Sequence, residues 1–257
     1  MKKASLARCA RALAIAATLT TAVFAASTAE AAVTVLAPGA TVAGKTIGAW
    51  SADWWIWAFN QSMPDDAITD TSGANAAINQ SGPVFFLAGG FGGSYQAQRT
   101  FNVPANAYVL VPLFNNEWSE LEEGAALTDQ ELLDANNSVI MDVKSLHAVI
   151  DGTSILEQDL FVHLETSPIF QFTAAQNNPF GVSPGPSGKA LAQGYYLMLA
   201  PLGTGTHTIS YGGKYVSGDF IFETDANATI SGVPEPASLT LVATSLMGLA
   251  WARRRVA

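Results

Sequence analysis

The stretch Ser138-Val-Ile-Met-Asp-Val-Lys-Ser-Leu-His-Ala-Val-Ile150, followed by Asp151-Gly152-Thr-Ser154-Ile-Leu156, decides the fold class. It is rich in β-branched residues and alternates in polarity, the pattern of a half-buried strand. Asp151-Gly152 supplies a hairpin turn, and Ser154-Ile155-Leu156 begins the returning strand. Working outward, Pro83-Val-Phe-Phe-Leu-Ala88 is a short apolar run between glycines, and Ala107-Tyr-Val-Leu-Val-Pro-Leu113 is another. Leu160–Glu165, Tyr195–Leu199, Thr206–Tyr211 and Tyr215–Glu223 follow, separated by glycine turns. Many short strands with such punctuation predict a mainly β protein: a single antiparallel β-sandwich domain. Asn178–Lys189, rich in Pro and Gly, reads as a loop.

Two helices interrupt the strands. The first is Trp-rich: Trp50, Trp54 and Trp57 share one helical face, Ser51 is the expected N-cap, and Pro64 follows the end. The second, shorter helix starts at Thr128, where Thr128 and Glu131 form a capping box ahead of Leu132-Leu133.

The two ends of the chain have a different character. Lys2, Lys3, Arg8 and Arg11 precede an uncharged apolar run from Ala12 to Ala26, and Ala29-Glu30-Ala31 offers a small-x-small cleavage site. This is the pattern of a cleavable secretory signal peptide, residues 1–32, with Ala29 and Ala31 as the cleavage residues. Cys9 lies within it, so the mature body, residues 33–231, is expected to have no disulfide and no cysteine nucleophile. At the other end, Gly232-Val-Pro234-Glu235-Pro236 precedes an uncharged apolar stretch from Ala237 to Ala252, then Arg253-Arg254-Arg255. A spanning helix wants about 20 apolar residues, so this one is short and needs its flanks. The arginines would stay cytoplasmic and the proline motif would face outward. Residues 232–257 resemble the PEP-CTERM sorting signal of exported bacterial proteins. That resemblance implies a transient transmembrane anchor in the inner membrane. It also implies recognition of Pro234-Glu235-Pro236 by an exosortase, and delivery to the cell surface or the extracellular space. Signal peptidase and the secretion machinery are the other implied partners.

Removing both terminal segments changes the electrostatics. Seven of the 12 basic residues lie in them, leaving 5 against 19 acidic residues, a body charge near −14. A nucleic-acid partner is excluded on that balance, and membrane contact is expected only through the tail. The body is similar to a family of secreted bacterial proteins with no assigned activity. The similarity is carried by the Trp helix, by Gln80-Ser-Gly-Pro-Val-Phe-Phe-Leu-Ala-Gly89, and by Gly194-Tyr-Tyr-Leu-Met-Leu-Ala-Pro-Leu202 with Gly205–Gly212. It covers roughly residues 46–230. Many members carry cysteines near Ala77 and Thr100; this chain has neither.

Three groups of residues are candidates for chemistry. Trp54, Trp55 and Trp57 could form an aromatic platform for sugar rings, against the alternative that they plug the core. Asn115, Glu117 and Glu120, in the acidic stretch that continues through Glu122 and Glu123, offer oxygen ligands of the kind calcium takes; the alternative is a solvated acidic loop. The same carboxylates could serve glycoside hydrolysis if a cleft separated them suitably. His163 is expected to point to solvent between Val162 and Leu164, and no histidine pair has metal-binding spacing. No Gly-x-Ser-x-Gly elbow or nucleotide loop is present. The sequence therefore supports an exported, non-catalytic surface or matrix protein associated with exopolysaccharide or biofilm. A glycan-binding module and an extracellular glycan-active enzyme are the alternatives, and no cofactor other than calcium is suggested.

Overall fold

The computed structural model describes residues 32–90 and 96–234. Ala29 and Ala31 of the expected signal peptide, and Glu235, Pro236 and Arg253–Arg255 of the tail, lie outside the described residues. Among the described residues, no helix is long and apolar enough to cross a membrane.

The chain is mainly β. Nine strands build two principal sheets: β1 (Val84–Phe86), β2 (Gln96–Pro104), β3 (Tyr108–Ser119), β4 (Val143–Ile150), β5 (Thr153–Ser154), β6 (Leu164–Thr166), β7 (Ala190–Leu199), β8 (Gly205–Ser217) and β9 (Phe220–Val233). One sheet has the order β1-β3-β7-β6 and the other β2-β9-β8-β4-β5. Two short antiparallel pairs, 41–42 with 45–46 and 173–174 with 185–186, stand apart from them.

Inward side chains of both sheets meet in one buried cluster. Val109, Val111, Leu197 and Leu199 come from the four-stranded sheet, and Leu146, Ile150, Ile209, Tyr211 and Ile230 from the five-stranded one. A second cluster forms on the other face of the four-stranded sheet. There helix α1 (Ile47–Phe59) packs on Leu110, Tyr196 and Met198. Strand β7 is thus covered on both faces, and all ten of its residues are buried. That explains why Tyr195–Leu199 reads as a continuous apolar run without alternation.

The sheets are mixed, which corrects the antiparallel expectation. β1 runs parallel to β3, and β2 runs parallel to β9 from Asp225 to Val233. The β2 strand carries Arg99 and Asn102 among its apolar positions and gives little strand signal. Other boundaries also shift. Residues 138–140 belong to helix α3 (Asp129–Ile140), which follows the one-turn α2 (Glu120–Glu123); the strand begins at Val143. Gly212-Gly213 remain inside β8, and the hairpin turns at Gly218 instead. Leu160–Glu165 is mostly helical: a turn at Glu157–Leu160 leads into a 3-10 turn at Phe161–His163. His163 is consequently buried, with Val162 and Leu164 exposed, the reverse of the alternation reading.

Local chemistry sets the helix ends. Thr46, not Ser51, caps α1: its hydroxyl accepts from the Ala49 N–H at 3.2 Å. Ser51 is buried one turn later and donates to the Gly48 carbonyl. The α3 start is as expected, with Thr128 N donating to Glu131 Oε2 at 2.8 Å and Glu131 N donating to Thr128 Oγ1 at 3.2 Å. Such a cap contributes about 1 kcal/mol.

The last strand crosses the boundary expected at residue 231. Gly232 and Val233 pair with Val103 and Pro104, and the Val233 carbonyl accepts from Ala105 N at 2.8 Å. Gly232 has to be glycine, because a Cβ there would lie 1.8 Å from the Gly203 carbonyl oxygen. A body ending at Ser231 is therefore predicted to be less stable than one ending at Pro234. The loss of these pairs is expected to cost about 1–2 kcal/mol, or about 3–6 °C in melting temperature. Scanning calorimetry of the two forms checks this; equal melting temperatures would show that the strand end contributes nothing.

Candidate functional site

A cavity of about 430 Å³ opens beside β3. β1 pairs with β3 only through Tyr108–Leu110, and past that point no described strand continues the sheet on that edge. Residues from both faces of β3 therefore reach the opening. Asn115 and Glu117 lie there together with Phe114 and Trp118. A bulge at Tyr195/Tyr196 in the β7 pairing shifts the register just before them. This shift leaves Leu113 and Phe114 both in the inter-sheet core.

The walls are aromatic. Trp55, Phe59 and Phe180 form one contiguous set, with ring centroids 5.6 Å (Trp55–Phe59), 5.4 Å (Trp55–Phe180) and 4.6 Å (Phe59–Phe180) apart. Phe114 lies 6.2 Å from Tyr215 and 6.0 Å from Phe222, forming a second set. Phe220, at the exposed tip of the β8–β9 hairpin, also borders the cavity.

The three tryptophans expected on an exposed platform are covered: Trp54 is 3 %, Trp55 7 % and Trp57 5 % exposed. Helix α1 is apolar nearly all round and lies between the sheet and the loops, so most of it is covered, with Ile56 left exposed. Trp50, Trp54 and Trp57 donate their indole N–H groups to the carbonyls of Val42, Leu87 and Ile78 at 2.9, 2.7 and 2.8 Å. Those are anchoring contacts. Trp54 and Trp55 both line the cavity, and Trp55 differs in that its Nε1 is buried without a hydrogen-bond partner.

The proposed calcium ligands separate in the same way. Asn115 and Glu117 face the cavity, but the Glu120 carboxylate is turned to the backbone. It accepts from Lys189 N at 2.9 Å and Leu127 N at 3.1 Å, and these bonds hold its carboxyl below the ordinary range. Among the described residues, no group of three or more His, Cys, Asp or Glu side chains is placed to hold a metal ion. The residue that does join Glu117 is Glu122, whose Oε2 accepts from Ser119 Oγ at 2.8 Å.

Glu117 is the chemically unusual group. It is 5 % exposed, and neither carboxyl oxygen receives a hydrogen bond from any donor. Burial pushes its carboxyl well above the usual range, and the adjacent Glu122 charge pushes it further. Glu122 is also raised by burial, although its bonds to Glu117 and Ser119 oppose the shift. Two adjacent carboxylates cannot both ionise cheaply, so the pair titrates as a unit, with Glu117 the more strongly raised. Around it, Asn115 Nδ2 and Tyr196 Oη are likewise buried and unpartnered. Asn115, Trp55 and Ser51 surround the Tyr196 hydroxyl, and burial raises its ionisation strongly. Sequence reasoning found Glu117, Trp55 and Asn115 but not Tyr196 or Glu122's role; a tyrosine within an apolar strand gives no signal of its own.

Arg99 fixes the cavity margin. It is 3 % exposed and its guanidinium donates to four carbonyls: Asp70 at 2.8 Å, Ile68 at 3.2 Å, Gly89 at 3.2 Å, and Ala88 in the shortest contact. Tyr211 Oη donates to the same Ala88 oxygen at 2.7 Å. Ile68, Gly89 and Gly90 border the cavity. Arg99→Met leaves these carbonyls unsatisfied and is predicted to cost about 3 kcal/mol or more. Urea denaturation measures it; a loss below about 1 kcal/mol would show that water replaces the guanidinium.

The carboxyl pair also sets a pH dependence. In the unfolded chain a glutamate titrates at about 4.3; in the fold Glu117 keeps its proton to higher pH. Between those values the native state binds more protons, so stability falls as pH rises across the window. Glu117→Gln removes the effect. The variant is predicted to melt above the wild type at pH 8 and to converge with it near pH 4, as followed by thermal scans. A wild type that gains stability relative to the variant as pH rises would contradict the raised carboxyl.

No curated protein matches the chain, and no solved structure does. Residues 232–255 match the PEP-CTERM protein-sorting motif. The motif starts inside the last strand, at Gly232, and continues beyond the described residues. The chain carries a PEP-CTERM protein-sorting motif at its C-terminal end, and this supports an exported protein that passes through the membrane and is processed by an exosortase.

Proposed function

We propose that this chain is an exosortase-processed surface protein whose β-sandwich body binds a glycan in the aromatic cavity. That binding keeps the protein in an extracellular polysaccharide layer. The observation carrying this reading is the combination of aromatic walls with lining polar groups that are buried without partners: Trp55 Nε1, Asn115 Nδ2 and the Glu117 carboxyl. Buried polar groups are normally hydrogen-bonded, and leaving one unpaired costs about 1–3 kcal/mol. A cavity that concentrates three of them is organised for a ligand that supplies the missing bonds. Sugar rings suit such a place, with CH groups for the aromatic faces and hydroxyls for the polar atoms. The platform of open tryptophans gives way to an enclosed site.

The carboxyl pair favours binding over hydrolysis. Glycoside hydrolysis places its two carboxyl groups about 5–9.5 Å apart, with the sugar between them. Glu117 and Glu122 adjoin closely enough for the Glu122 charge to raise the Glu117 carboxyl, an arrangement that favours one shared contact over two groups flanking a sugar.

The exported protein, purified from its producing cells, is expected to bind the producer's own exopolysaccharide with a change in tryptophan emission and without releasing reducing sugar. Asn115→Ala is expected to weaken binding about tenfold or more, the equivalent of about 1.4 kcal/mol. Unchanged emission at saturating polysaccharide would refute glycan binding, and steady release of reducing ends would replace it with the enzyme alternative.

A further inference from the structure

The electrostatics of the cavity narrow the ligand. Glu117 offers two buried oxygens with no donor in the protein, and Glu122 stands against it from α2. Asn115, Asn116, Tyr215 and Thr224 are the other polar residues lining the cavity, and none carries a positive charge. Among the described residues, no lysine, arginine or histidine lines the cavity. Glu120 is committed to the backbone of Leu127 and Lys189, while Lys189 Nζ pairs with Asp129 at 3.0 Å. The site is thus an acid pair without a counter-ion, beside the faces of Trp55, Phe59 and Phe180.

Aromatic faces carry negative potential and attract cations, most strongly where water is excluded. A hard metal ion wants six to eight oxygens, which this wall does not provide. An alkylammonium group needs less. It has N–H donors for carboxylate oxygens and CH groups for the rings. We propose that the cavity takes a ligand bearing a protonated amine, its ammonium group held by the Glu117 and Glu122 carboxyls against the Trp55, Phe59 and Phe180 rings. This deepens the glycan reading and rests on it: within a polysaccharide, the chemistry corresponds to a deacetylated amino sugar. A free polyamine has the same ammonium chemistry.

The proton balance follows. Burial and the Glu122 charge hold the Glu117 carboxyl above its ordinary range, and an ammonium ion favours its ionised form, so binding promotes release of a proton to solvent. Affinity therefore rises with pH while the amine stays protonated. The body's excess of 19 acidic over 5 basic residues favours the approach of cations over the same range.

The test is titration of the exported protein, purified from its producing cells, with three probes: a glucosamine tetramer, its N-acetylated counterpart, and spermidine. The expected result is binding of the glucosamine tetramer at least tenfold tighter than the acetylated form. Calorimetry in buffers of different ionisation enthalpy should report proton release. Affinity should increase from pH 5 to pH 7, and Glu117→Gln should lose at least tenfold while retaining a cooperative melt. Glu122→Gln, which keeps the hydrogen bond but removes the charge, should weaken the amine probe alone. Spermidine binding as tightly as the glucosamine tetramer would uphold the ammonium site and assign it to free polyamines instead of a glycan. Equal affinity for the amine and acetylated tetramers would overturn the ammonium inference while leaving the glycan reading intact. No binding of any probe would overturn both.

Discussion

The cavity depends on a buried positive charge with no carboxylate beside it. Arg99 sits on the inward face of β2, and its guanidinium is satisfied by backbone carbonyls from residues 68–70 and 88–89. Five N–H donors in a rigid fork suit this task, and a lysine's three would not span the same acceptors. Each carbonyl contributes only a partial charge. Together they substitute for the water that a guanidinium surrenders on burial. The consequence is geometric: two irregular segments far apart in sequence are tied to one strand. Backbone bonds reinforce the tie, with Gln98 N donating to Thr71 O and Thr100 N to Ser72 O.

Against that satisfied cation, the unsatisfied Glu117 carboxyl in the cavity is informative. A fold that provides four acceptors for Arg99 provides no donor for Glu117. Replacing Glu117 by a well-packed apolar residue would remove the desolvation cost at once. Its retention in a cavity is the kind of local disagreement that marks a binding site, because the missing partner is supplied from outside. The same contrast separates Trp55 from its neighbours on α1. Three indoles are used as anchors, and the fourth is turned to the cavity with its N–H unused.

Sequence legibility follows the range of the interaction concerned. The Thr128–Glu131 capping box could be read because all its atoms belong to four consecutive residues. Strands β1, β3 and β7 could be read because apolar runs bounded by Gly or Pro are local signals. The start of α1 was hidden because Ser51 satisfies the same local criteria as Thr46, and only burial shows Ser51 to be inside the helix. β2 was hidden because its pairing is parallel and distant, and because Arg99 makes it look polar. His163 was misplaced because a period of two was applied to a 3-10 turn. At the site, the acidic stretch was visible but its division was not. Glu120 and Glu122 are two residues apart, yet one binds backbone amides and the other meets Glu117. The one-turn geometry of α2 makes that division, and no spacing rule anticipates it.

The C-terminal motif and the fold meet at a single residue. β9 extends to Val233, whose carbonyl is still bonded to Ala105, and the next residue is Pro234. Proline has no N–H to offer a sheet, so the ladder stops where the Pro-Glu-Pro tripeptide begins. The residue that ends the β structure is also the first of the sorting tripeptide. A processing enzyme acting beyond Val233 leaves the sheet whole. One acting before it would have to withdraw Gly232 from the space against Gly203 that only glycine fits. The fold therefore favours cleavage on the C-terminal side of Val233, which leaves the last strand intact.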